Sequence, residues 1–197
     1  MSVMQLIALL LASTLMEQAQ AAATTLYQFG RAPPAQVGGD LHLTDMNGQP
    51  FQLSRLNRPA LIFFGFTGCG DTCPTAMLSA RLLLQRFKPD ERAPAILFVT
   101  LDPYGDTPKR LKAYLANFDP RIVGLTGSPA AIGNATDKYG VGVNTASGSI
   151  AHSSVWYLLN EDSQVERVYE FRTAPQDLEV DLRAALRKPH QLGWLRK

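Results

Sequence analysis

Apolar positions along this chain alternate between two kinds of block, near-continuous runs and runs at helical spacing. Leu61 to Phe66 and Ala95 to Leu101 are almost wholly apolar, as strands buried on both faces of a sheet are. From Pro74 to about Phe87 the spacing changes, and Met77, Ala80, Leu84 and Phe87 share one helical face. Leu111, Tyr114, Leu115 and Phe118 keep the i, i+3, i+4, i+7 period of another helix. Ser128-Pro129 opens a third, with Ile132, Ala135 and Tyr139 inward and Gly140 as its stop. A last helix begins near Pro175, turns Leu178, Leu182, Ala185 and Leu186 inward, and closes at Lys188-Pro189.

Strand patterns fill the gaps. Leu41 and Leu43 alternate with His42 and Thr44, Asn47-Gly48 supplies a turn, and Phe51 and Leu53 alternate with Gln52. That predicts an N-terminal β-hairpin with His42 on its solvated face. Further strands are expected at Arg121 to Leu125, a short one, and at Ser153 to Leu159 and Val165 to Phe171, with a turn at Asn160-Glu161-Asp162-Ser163. Val141 to Ile150 has no period and reads as a loop. Alternating strands and helices with an antiparallel pair near the end imply an α/β domain over 40–188, its mixed central sheet flanked by helices. Residues 22–39, rich in Ala, Pro and Gly, read as a flexible tether or surface strap, and 189–197 as a basic tail.

Length and charge narrow the classes. At 197 residues the chain suits one domain with a substantial core. A net charge of +2, with no basic stripe interleaved with aromatics, gives no ground for a nucleic-acid partner. Residues 1–21 look like an export signal, with an apolar core at Leu6 to Ala12 and a small-x-small site at Ala19-Gln20-Ala21. The usual basic start is missing, since the first Lys or Arg is Arg31. A retained membrane anchor is the rival reading, but the apolar run from Val3 to Met16 falls short of the roughly 20 residues a spanning helix needs. Export implies the periplasm or the outer face of the inner membrane, the latter through this N-terminal segment.

The chemistry concentrates where the first long strand ends. Cys69 and Cys73, the two cysteines of the chain, stand in Phe66-Thr67-Gly68-Cys69-Gly70-Asp71-Thr72-Cys73-Pro74. Pro74 suits the first helical position, which makes Cys73 the expected N-cap. Positive partial charge at a helix start stabilises a thiolate. Cysteines at the junction of a core strand and the first long helix, in this order of elements, point to a thioredoxin-like fold. A structural disulfide would close only a short loop and add little. A redox dithiol and a metal site remain, the latter with soft ligands suited to Cu(I) or zinc but needing a third. Of the three histidines, His42 is expected to be exposed and His190 lies in the tail, while His152 opens a strand that this topology brings beside the cysteine loop. Thioredoxin-type exchangers face their cysteines with a proline, and none occurs here between Pro129 and Pro175. Asp106 is expected to cap the helix after Pro108, and Asp102 to set the turn before it.

Four separated segments together resemble the Sco/SenC family. They are Phe64 to Pro74, Asp102-Pro103-Tyr104-Gly105-Asp106-Thr107-Pro108, Phe118 to Gly127 with its Asp119-Pro120-Arg121, and His152 before an aromatic-bearing strand. The resemblance implies a thioredoxin-like fold and a part in assembling cytochrome c oxidase. It also implies copper, Cu(I) or Cu(II), held by Cys69, Cys73 and His152. The expected function is that of a metallochaperone whose partner is an oxidase copper-site subunit or another periplasmic copper carrier. The alternative is an enzyme, a thiol-disulfide reductase acting through Cys69 and Cys73 on an oxidase subunit's cysteines. Two positions depart from the family pattern. Gly70 stands where proline is usual, and Gly105 where arginine is usual, removing a charge partner for Asp102 or Asp106.

Overall fold

The chain builds one mixed sheet whose two faces are both covered, as the unbroken apolar strands require. The computed structural model describes residue 5 and residues 27–88, 91–144 and 150–187. The expected export signal, the basic tail, His190 and the Lys188-Pro189 stop lie outside the described residues. The strands are β1 (His42–Asp45), β2 (Pro50–Gln52), β3 (Ala60–Gly65), β4 (Ala95–Thr100), β5 (Ile122–Thr126), β6 (Val143–Asn144), β7 (Ala151–His152), β8 (Val155–Leu159) and β9 (Val165–Glu170). The helices are α1 (Thr72–Leu84), α2 (Pro108–Leu115), α3 (Pro129–Tyr139) and α4 (Pro175–Arg187).

Seven strands pair in the order β2-β1-β5-β4-β3-β8-β9. β3 runs parallel to β4 and antiparallel to β8, and β4 runs parallel to β5. Alternate residues of β3 explain why the strand is apolar throughout. Leu61 and Phe63 enter a core with α1, α2 and α4, while Ile62 and Phe64 enter a second core with Ile132, Ala135 and Tyr139 of α3. The arrangement is thioredoxin-like, as the order of elements implied.

Three local expectations change. α1 starts at Thr72, so Asp71 holds the cap position without a side-chain cap bond, Cys73 is already helical and Pro74 is the third helical residue. A proline is tolerated there because the first turn's N–H groups have no intrahelical partner anyway. Thr107, not Asp106, caps α2, its Oγ1 accepting from the Arg110 N–H at 3.3 Å. The loop over Val141 to Ile150 contains β6, which pairs with β7 as a separate antiparallel ribbon, Val143 against His152. Both ribbon strands are largely exposed, so no buried face imposed a period on their sequence.

Residues 27–39, within the segment read as a flexible tether or surface strap, lie along the sheet edge at β9. Arg31 and Val168 exchange backbone bonds of 2.9 and 3.0 Å, and the Gln28 and Phe29 N–H groups donate to Asp181 of α4. Among the described residues no helix is long and apolar enough to cross a membrane.

Candidate metal centre

β3 ends at Gly65 with no room for a side chain. A Cβ there would lie 2.7 Å from the Cys73 sulfur and 3.0 Å from the Phe98 ring. Strand, first helical turn and β4 therefore close tightly on the buried Cys73. The chain then turns at Phe66, whose carbonyl accepts the Cys69 N–H at 3.2 Å, leaving Cys69 half-buried. The Cys73 N–H in turn points at the Cys69 sulfur, 3.4 Å away. Both thiols are free.

Position gives the two sulfurs opposite character. Burial pushes the Cys69 thiol up, but the Cys73, Asp71 and Thr72 backbone N–H groups and the Cys73 thiol outweigh it and bring its pKa below the usual value. Cys73 is pushed up to about 12, chiefly by burial, with the Cys69 sulfur and Asp106 adding to it. Beneath them the Tyr114 hydroxyl is buried without a hydrogen-bond partner. Burial, then the nearby sulfurs and Asp106, hold its proton on well above the ordinary tyrosine range.

The antiparallel register of β3 and β8, with Phe63 opposite Trp156, brings the start of β8 beside the end of β3. His152, partly exposed, thereby meets Phe63 and Phe66 edge-on at ring separations of 6.3 and 6.2 Å. Its Nδ1 lies 3.0 Å from the Ser153 carbonyl. The two cysteines are thus together, and His152 borders the same loop through Phe66. Among the described residues, no three His, Cys, Asp or Glu side chains group closely enough to hold a metal ion. The sulfurs themselves suit a soft cation, since two thiolates with one open to solvent form a receptive but incomplete ligand set.

The other candidates lie elsewhere or act differently. His42 is exposed on the hairpin, its Nε2 3.0 Å from Asp40. Asp102 folds over its own turn and accepts the Gly105 N–H at 2.9 Å. A Cβ on Gly105 would sit 2.2 Å from the Asp102 carboxylate, so the glycine lets that carboxylate close the turn rather than merely leaving it without an arginine. Asp106 is buried and bonds to Thr67 and Thr100. Thr67 and Tyr114 were not legible as site residues from sequence, because only contact across elements gives them their place.

A family model described as SCO1/SenC matches residues 30–187. The chain belongs to the SCO1/SenC family. A SCO2-like protein of Rickettsia conorii is 33% identical over 156 residues, 75% of this chain and 76% of its own length. Bradyrhizobium japonicum ScoI, solved with copper bound, matches with a TM-score of 0.69 and 33% identity over 76% of this chain and 99% of that one. Yeast Sco1 with copper bound gives a TM-score of 0.70 and 29% identity over 82% and 94% of the two chains. Within this family frame, the Asp119-Pro120-Arg121 segment has a structural job here. Arg121 forks onto the Asp119 carboxylate at 2.9 and 2.7 Å and donates to the Leu84 carbonyl at 3.0 Å, fastening the end of α1.

Proposed function

We propose that this Sco-family protein is an exported copper metallochaperone, holding its cargo between Cys69, Cys73 and His152 and passing it on during cytochrome c oxidase assembly. The observation that carries the reading is the free thiol pair at the β3–α1 junction, with the His152 ring bordering the same loop through Phe66. Copper-bound relatives of the same fold support copper as the cargo. Closing a three-ligand site would bring His152 toward Cys69, with Val143, Asn144 and Ala151 of its ribbon exposed and the His152 ring sliding on Phe63 and Phe66. A low coordination number and an open Cys69 suit hand-over by ligand exchange to the thiolates of an oxidase copper subunit or of another periplasmic carrier.

The thiol asymmetry also fits a reductase, in which Cys69 attacks a partner's disulfide and Cys73 resolves the mixed disulfide. That step would leave a Cys69–Cys73 disulfide and two partner thiols. Burial holds the proton on Cys73, pushing its pKa up to about 12, which makes it a sluggish resolving nucleophile. Binding a soft cation must displace the same proton, so copper affinity should rise with pH.

Copper titration of the reduced protein tests the reading. One copper per chain is expected, lost with Cys69→Ser or Cys73→Ser. His152→Ala should weaken binding at least about tenfold, since even losing a ligand's hydrogen-bond partner costs that much. Undiminished binding by His152→Ala would remove the histidine from the ligand set, and reduction of a partner disulfide by that variant without any copper binding would favour the reductase.

A further inference from the structure

The cysteine loop is weakly supported on its own. Cys69 stands between Gly68 and Gly70, and a Cβ on Gly70 would meet nothing within 4 Å. Its anchorage comes from Thr67, two residues upstream, and from a different loop. Asp106, 1% exposed, accepts the Thr67 N–H at 2.9 Å and the Thr67 hydroxyl at 2.5 Å, and also the Thr100 hydroxyl of β4 at 2.7 Å. The Thr67 oxygen accepts the Arg110 Nε–H at 2.7 Å, and that nitrogen stands 3.8 Å from the carboxylate. Burying a carboxylate is costly unless it is well bonded, and nothing in the turn itself requires this one. Thr107 caps α2, while Asp102 and Thr100 tie the turn through the Gly105 and Asp102 N–H groups. Both hydrogen-bond donors of Thr67, its N–H and its hydroxyl, are spent on it, which fixes the backbone and side chain of a residue inside the Phe66–Cys69 turn.

We propose that Asp106 and Arg110 form a latch on Thr67 that positions Cys69, and that the latch sets how readily the cysteine loop opens to give up its cargo. The latch joins the β3–α1 loop to the β4–α2 loop, whose Tyr104 is 84% exposed at its tip. Asp106, Arg110 and Thr67 are positioning residues, acting through the backbone of Cys69 rather than touching the ion. The release arm rests on the copper reading, whereas the positioning arm rests only on the metal-free geometry.

Thr67→Val keeps the side-chain shape and the backbone N–H but removes the hydroxyl, and Arg110→Ala removes only the exposed arm. Two rates are measured, iodoacetamide modification of Cys69 in the reduced metal-free protein, located by peptide mass, and Cu(I) transfer to a chromogenic chelator. Thr67→Val should raise both at least about fivefold, the rate equivalent of one hydrogen bond, with Arg110→Ala intermediate and Thr67→Ser restoring wild-type rates. Ile132→Val, a core truncation in α3 remote from the loop, should lower the unfolding midpoint and leave both rates unchanged. Wild-type modification and transfer rates in Thr67→Val would overturn the latch. If the wild-type protein binds no copper, the copper reading fails, and the modification rate alone still decides the latch.

Discussion

Single glycines carry different weights in this site because their surroundings differ. Gly65 is required by contact, since any Cβ would strike the Cys73 sulfur and the Phe98 ring. Gly65→Ala should therefore destabilise by about 1–3 kcal/mol, the range for overpacking a well-filled core. It should also shift Cys73 and lower copper stoichiometry. Gly70 is the opposite case, with open space around the added carbon. Gly70→Ala should raise stability by about 0.4–1 kcal/mol through the unfolded chain's lost freedom, leaving copper stoichiometry at wild-type. Chemical denaturation of the two variants measures the contrast. Equal and opposite-to-expected shifts would show that the loop, not the strand end, is the crowded part. The two cysteines were legible in the sequence because no other thiols compete with them. The crowding at Gly65 was not, because it depends on a helix turn eight residues away and on a ring from the next strand.

At the scale of elements, the sequence disclosed types and order more faithfully than ends. Helix period and strand runs located α1–α4 and the seven paired strands, because packing on two sheet faces stamps a period on each. The β6–β7 ribbon escaped notice since its residues are exposed except for the half-buried His152, too little to stamp a period. Asp106 was misread for a related reason, as an aspartate before Thr-Pro has the local pattern of a cap, whereas its partners Thr67 and Thr100 are set by tertiary contact. Asp119-Pro120-Arg121 shows how such a segment secures an element from outside. Arg121's bonds lower the Asp119 carboxyl's pKa from its ordinary value, outweighing its burial. A depressed folded pKa contributes stability that is present above the unfolded value, about 3.9, and is lost as pH falls through the folded one. Acid titration of unfolding should thus show the wild-type protein losing stability below about pH 4 more steeply than Asp119→Asn. At pH 7 Asp119→Asn should be about 1 kcal/mol less stable, a modest figure because Arg121 is half-exposed and screened. Parallel acid curves for the two proteins would assign the clamp no role.

At the scale of the whole molecule, the sheet has a weak side and the chain covers it with its own beginning. β9 is an edge strand, and an uncovered edge invites pairing with other chains. The segment over 27–39 occupies that edge through Arg31 against Val168 and Gly38 against Gln164. Its fastening is a fully buried carboxylate, Asp181, which accepts the Gln28 and Phe29 N–H groups at 2.7 and 3.0 Å and the Tyr169 hydroxyl at 2.9 Å. In an amphipathic helix a buried aspartate breaks the apolar face, and the strap's two N–H donors are what make it tolerable there. Asp181→Asn keeps the size but exchanges a charged acceptor of three bonds for a neutral one. It should cost about 1–3 kcal/mol and loosen the N-terminal part of the strap before the sheet unfolds, because the strap joins the sheet by two isolated bridges rather than a full ladder and its bonds to α3 lie at Gly38 and Gly39. Limited proteolysis should then cut within 27–39 faster than in the wild-type protein while the 40–187 fragment stays resistant, and light scattering should report association through the bared β9. Tyr169→Phe, which removes one donor and leaves both strap bonds, should lose stability without speeding that cut. Equal cutting rates for Asp181→Asn and the wild-type protein would mean that the edge bridges, the bonds of Gly38 and Gly39 to α3 and the buried Tyr27 hold the strap without Asp181.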